Sequence, residues 1–92
     1  MSNRYGNAKP GEFLPGLILP PVIHAQLRKR LTEIGVADSP VNCLIAQARA
    51  EGLVEALELL KAVEAAAVER LYLVIDQDAT KRLEELSRDG AK

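Results

Sequence analysis

Chemistry-bearing side chains are scarce in this 92-residue chain, which holds one cysteine (Cys43), one histidine (His24), no tryptophan, one phenylalanine and two tyrosines. A single cysteine excludes an intrachain disulfide. One histidine and one cysteine cannot assemble a zinc site of ordinary spacing, and neither a Ser/His/Asp grouping nor a Gly-rich phosphate loop is visible. These absences point away from an enzyme and leave no cofactor or metal to expect. Long apolar runs are missing too: the longest, Leu71 to Ile75, falls far short of the roughly 20 residues that cross a bilayer. The N-terminus, Met1 to Asn7, has no apolar stretch behind its charge and does not read as a secretory signal. A cytoplasmic protein without a membrane partner is therefore expected.

What the chain does have is leucine and alanine. Hydrophobic residues make up 48% and charged residues 27%, the balance of a globular protein, while aromatics supply only 3%. The core must be made of small and aliphatic side chains packed between helices, so the expected fold is mainly α. Charge is unevenly placed under a net of −1. Through residue 30, Arg4, Lys9, Arg28, Lys29 and Arg30 stand against Glu12 alone, whereas residues 31–69 carry Arg49 and Lys61 against seven acidic residues. A basic front can face phosphate, and an acidic middle must face elsewhere.

Residues 1–12 are polar with Gly6, Pro10 and Gly11 and read as a flexible tail, leaving residues 13–92 as a single domain. From Phe13 to Pro21 prolines interrupt an apolar run, so Gly16 to Leu19 is at most a short extended segment. Ile23, Leu27, Leu31 and Ile34 then lay one stripe along a helix from about Pro20 to Ile34, with Gly35 placed to end it. Ser39 and Pro40 are an N-cap and first position for a second helix, expected to run to about Val68 with Val41, Leu44, Ile45 and Ala48 on its inner face. Leu71 to Ile75 suits a strand slightly better than a helix, and Asp76 or Asp78 would cap a last helix carrying Leu83 and Leu86.

This order resembles the ribbon-helix-helix family of small dimeric DNA-binding proteins. The residues that carry the resemblance are Leu17-Ile18-Leu19-Pro20-Pro21, Leu27-x-x-Arg30-Leu31-x-x-Ile34, and Ser39 with Leu44-Ile45-x-x-Ala48, within residues 13–57. A partial echo runs from Arg70 to Leu86, where Lys81-Arg82-Leu83 repeats Lys29-Arg30-Leu31 at an offset of 52. The resemblance implies a short ribbon plus two or three helices, paired between two chains into a sheet that enters the major groove of duplex DNA. An all-α helical hairpin is the alternative architecture.

Two functions follow. In the first, a small dimeric DNA-binding regulator of repressor, antitoxin or accessory type meets phosphate through Arg4, Lys9, Arg28, Lys29 and Arg30. In the second, a helical interaction module binds or inhibits a partner protein without touching DNA; the apolar ribbon positions Gly16 and Ile18 and the net charge favour this one. Either way a homodimer is expected, because Leu53, Leu57, Leu60, Val63, Ala67 and Leu71 form a stripe longer than the first helix can cover. Cys43 reads as a small buried hydrophobe, His24 as a residue at a helix start, and Glu51, Glu55, Glu58 and Glu69 as a solvated face.

Overall fold

In the computed structural model, which describes residues 8–90 and side chains through Arg88, three helices follow a short N-terminal strap. They are α1 (Pro21–Gly35), α2 (Pro40–Leu59) and α3 (Ala65–Gly90). Each packs on both of the others, α2 most extensively. The core between them holds Leu27, Leu31 and Ile34 from α1, Cys43, Ala46, Ala50, Val54 and Leu57 from α2, and Val68, Leu71, Val74, Ile75 and Ala79 from α3.

The starts of α1 and α2 follow from the sequence as expected, whereas α3 begins at Ala65 and holds Asp76 and Asp78, the expected caps of a last helix, in its interior. Pro20 precedes α1 and Pro21 fills its first position, where a missing N–H costs nothing. Ser39 caps α2, its Oγ accepting from the Asn42 N–H at 3.1 Å, while the Asn42 amide donates to Asp38 Oδ1 at 2.7 Å. The loop between α1 and α2 is pinned from across the core, where half-buried Arg82 of α3 donates from Nε to the Ala37 carbonyl at 2.8 Å and pairs with Glu85 at 3.1 Å.

The ribbon does not form. Leu14-Pro15-Gly16-Leu17 turns back on itself, the Leu17 N–H donating to the Leu14 carbonyl at 2.8 Å and the Phe13 N–H to the Leu17 carbonyl at 2.7 Å. Proline at the second position and Gly16 at φ 77° at the third are the requirements of a type II turn. Closing locally uses the hydrogen bonds that a second chain's strand would have taken, and it drops Phe13, Leu14 and Leu19 into the core. The strap thus adds three side chains to the core between the helices. Of the residues expected to form a tail, those before residue 8 lie outside the described part, and Lys9 to Glu12 make a turn closed by the Glu12 N–H on the Lys9 carbonyl at 2.9 Å.

Two further expectations are corrected. Leu71 to Ile75 is helix, not strand, and the echo from Arg70 to Leu86 is one continuous part of α3. Its β-branched residues fall into the α-helical stripe Val68, Leu71, Ile75, Ala79, which packs on α2. The expected helix from Pro40 to Val68 breaks after Leu59. Lys61 adopts the left-handed conformation at φ 56°, its N–H donating to the Glu58 carbonyl at 3.0 Å and the Ala62 N–H to the Leu57 carbonyl at 2.8 Å. That pair of bonds is a Schellman motif, with lysine where glycine is usual. The break lets α3 fold back, so Leu57 and Leu71, expected at a dimer interface, are 6% and 2% exposed within their own chain. Leu53, Val63 and Ala67 are half-buried, and Leu60 alone of that stripe is open, at 78%.

Candidate interaction surface

The basic cluster expected to meet phosphate is divided by the helix that carries it. Three adjacent residues on α1 point in different directions. Arg28 turns toward the strap, its guanidinium 4.5 Å from the centroid of the Phe13 ring and donating to the Phe13 carbonyl at 3.4 Å. His24 meets the edge of the same ring, with centroids 5.2 Å apart. Arg30 pairs with Glu33 at 3.0 Å, leaving Lys29 as the exposed member. Lys9 is exposed on the strap, and Arg4 lies outside the described residues. A fourth cation, Arg70 of α3, also holds the strap, donating to the Pro15 carbonyl at 2.8 Å. Arg28 and Arg70 thus serve carbonyl oxygens of the strap; sequence spacing could not foresee this because it depends on the strap folding locally.

The inner face of α2 is not the expected one. Val41, Leu44, Ile45 and Ala48 point outward, with Val41 65% and Ile45 47% exposed. At about 100° per residue, Val41, Ile45, Ala48, Gly52, Ala56 and Leu59 fall in one row opposite the buried Cys43, Ala46, Ala50, Val54 and Leu57. Leu44 flanks the row. From Val41 to Leu59 the row extends about 27 Å, nearly the whole helix. Leu59, at its end, is 76% exposed. Side chains are large toward both ends and smallest at Gly52, so the row is saddle-shaped.

One edge of the row is acidic. Glu51, Glu55 and Glu58 are exposed, and Glu51 accepts from the Gln47 amide at 3.3 Å. Among the described residues the ion pairs are Arg30–Glu33 and Arg82–Glu85, so none of these three glutamates has a cation. They face Tyr72 of α3, whose phenol is held above the ordinary range first by partial burial and then by the carboxylates of Glu58, Glu55 and Glu51. Glu69, expected on the same face, sits on α3 instead and is likewise exposed.

A separate groove of about 570 Å³ opens where the strap meets the α2–α3 turn, lined by Leu17, Ile18, Ala62, Val63 and Ala67 with Lys61 and Glu64 at its rim. Cys43 is enclosed between α2 and α3, its Sγ 3.7 Å from the Ala79 carbonyl, and burial pushes its thiol up despite nearby Arg82. Among the described residues no three His, Cys, Asp or Glu side chains are grouped to hold a metal ion, and no helix is long and apolar enough to cross a membrane.

No protein-family model, no curated protein and no solved structure matches this chain.

Proposed function

We propose that this chain is a helical protein–protein interaction module whose docking surface is the outer face of α2. The observation that carries the reading is that α2 is apolar on two opposite sides and its own fold uses only one. The inner row already fills the core against α1 and α3. Val41, Ile45 and Leu59 remain in water, and a contiguous exposed apolar row rimmed by charge is the surface signature of a protein contact. Nothing in the row can donate to or accept from a substrate, so its chemistry is that of packing.

The other expectation, a DNA-binding regulator, has less support. The ribbon that would enter a groove is a closed turn, two of the arginines expected to meet phosphate are held by Phe13 and Glu33, and the exposed row of α2 is edged with carboxylates. A photo-crosslinking residue placed at Ala48 should give a discrete protein adduct in cells, lost when Ile45→Asp is added. The same residue at Lys29 should give none. Retention of the purified chain on duplex DNA at low salt, abolished by Lys29→Ala and untouched by Ile45→Asp, is the result that overturns the reading.

A further inference from the structure

The structure assigns one class of occupant to the outer α2 face: an amphipathic helix of a partner protein, apolar along its centre and carrying lysine or arginine along one edge. This rests on the reading of that face as a docking surface and adds what docks there. Three features of the face select the occupant.

Its shape is the first. A row about 27 Å long and one helix wide accepts a helix of some five turns. Ile45 and Leu59 stand on either side of Gly52 with Ala48 and Ala56 inside them, and Val41 lies one turn beyond Ile45. The row is therefore lowest where a crossing helix would approach most closely. Gly52 is the second feature. A β-carbon there would meet nothing within 4 Å among the described residues, so their packing has no steric need for glycine in mid-helix, where alanine is the better helix former. A backbone arriving from outside supplies that need, because only glycine lets two helices approach that closely.

Charge is the third feature and decides between occupants. A second copy would fit the shape, since the stretch from Ile45 to Leu59 reads large, small, glycine, small, large from either end. The antiparallel pairing in which that order matches end to end, however, lays the acidic edge of one copy along the acidic edge of the other, and like charges across an interface oppose it. A nucleic acid or an anionic lipid surface meets the same repulsion. A helix with Lys or Arg on the matching edge supplies the cations that Glu51, Glu55 and Glu58 lack among the described residues.

The test uses two synthetic helical peptides of about twenty residues with the same leucine and alanine face, one with lysine and one with glutamate along the edge. Binding to the purified full chain is read by fluorescence anisotropy. The lysine peptide should bind at least tenfold more tightly than the glutamate peptide, and its affinity should fall severalfold between 50 and 500 mM salt. Gly52→Leu should abolish binding with the far-ultraviolet spectrum unchanged, and the double variant Glu51→Lys with Glu55→Lys should reverse the preference. Equal binding of both peptides, still blocked by Gly52→Leu, overturns the basic-helix assignment and leaves the docking face standing. Sedimentation of the chain as a dimer that Gly52→Leu dissociates gives the face to a second copy and also overturns the assignment. Peptide binding indifferent to both Gly52→Leu and Ile45→Asp overturns the assignment and the docking face together.

Discussion

The inner row of α2, Cys43, Ala46, Ala50, Val54 and Leu57, and its outer row, Val41, Ile45, Ala48, Gly52, Ala56 and Leu59, are both apolar, and the outer row holds the greater number of large side chains. Hydrophobicity alone would bury the outer row. Fit decides otherwise: Cys43, Ala46 and Ala50 are small enough for α1 and α3 to close on the helix, and Val54 and Leu57 complete the same buried row. A helix can therefore present its larger apolar residues to water when its smaller ones make the better core. The excess on the outside is then available for a partner.

The largest expected effect separates the two rows directly. Val54 is fully buried, so Val54→Asp places a carboxylate in an apolar core with no cation beside it. The loss should exceed about 4 kcal/mol, a large part of the roughly 5–15 kcal/mol that holds a domain together. The variant should be largely unfolded at 25 °C by circular dichroism. Ile45→Asp, one face away and already half in water, should cost about 1 kcal/mol or less and keep the helical spectrum. Equal losses at the two sites would erase the distinction between the rows.

Next in size is the strap, which completes the inner side and has no counterpart on the outer. Phe13 is fully buried, touches His24 and carries the Arg28 guanidinium on its face. Phe13→Ala should cost about 3–5 kcal/mol in urea unfolding, the range for removing a buried aromatic side chain. Lys29→Ala, one residue along from Arg28, should change stability by less than about 0.5 kcal/mol. A small loss at Phe13 would mean that the strap contributes little to the core.

The two rows also explain which parts of the sequence were legible. The boundaries of α1 and the start of α2 were readable because Pro20, Pro21, Gly35, Ser39 and Pro40 impose them through local backbone chemistry. The inner face of α2 was not, because a period of 3.6 fits either row and no single-helix pattern tells which one a neighbour will cover. The break after Leu59 was hidden for a different reason. Leu59 and Leu60 continue the apolar pattern and no glycine or proline marks the stop. Without that break, Leu53 to Leu71 reads as one long stripe in want of a second chain. The basic cluster was legible as composition, while its division between Phe13, Glu33 and solvent depends on tertiary placement.

Glycine at the centre of the outer row gives a smaller and oppositely signed effect. Because a methyl group at Gly52 meets nothing within 4 Å among the described residues, Gly52→Ala should stabilise the fold by up to about 1 kcal/mol and raise the melting temperature by as much as about 8 °C. Ala50→Gly on the fully buried inner row should lower it by a similar amount or more. A destabilising Gly52→Ala would show that the close approach at this position comes from within the chain.

Cys43 allows the inner row to be followed by pH. Burial raises its thiol, so the folded state keeps its proton where the unfolded chain has begun to lose it. The associated stability is fully present below the unfolded value of about 8.5 and is lost progressively as pH rises through the folded one. Tyr72, raised in the same direction, adds a loss of the same sign at higher pH. Cys43→Ala should therefore lose less stability than the wild type between pH 7.5 and 10 in urea unfolding. Identical slopes would remove burial of the thiol as a source of the pH dependence.

The smallest effect tests the turn that divides the two helices and so leaves the outer row open. Lys61 is the one non-glycine residue at positive φ among those described, and a side chain there costs about 1–2 kcal/mol relative to glycine. Lys61→Gly relieves that strain while keeping both Schellman bonds, since each is made by backbone atoms. Part of the gain is returned because glycine frees the unfolded chain, so the net stabilisation should be only a few tenths of a kcal/mol to about 1 kcal/mol. Lys61→Pro acts in the opposite direction: it forbids positive φ and removes the N–H that donates to the Glu58 carbonyl, so it should cost more than the glycine variant gains. Thermal melts of the three proteins should rank glycine, lysine, proline. If glycine melts below lysine, as it would in a helix interior, the chain does not turn at residue 61, and α2 runs on into α3 with the long stripe from Leu53 to Leu71 exposed.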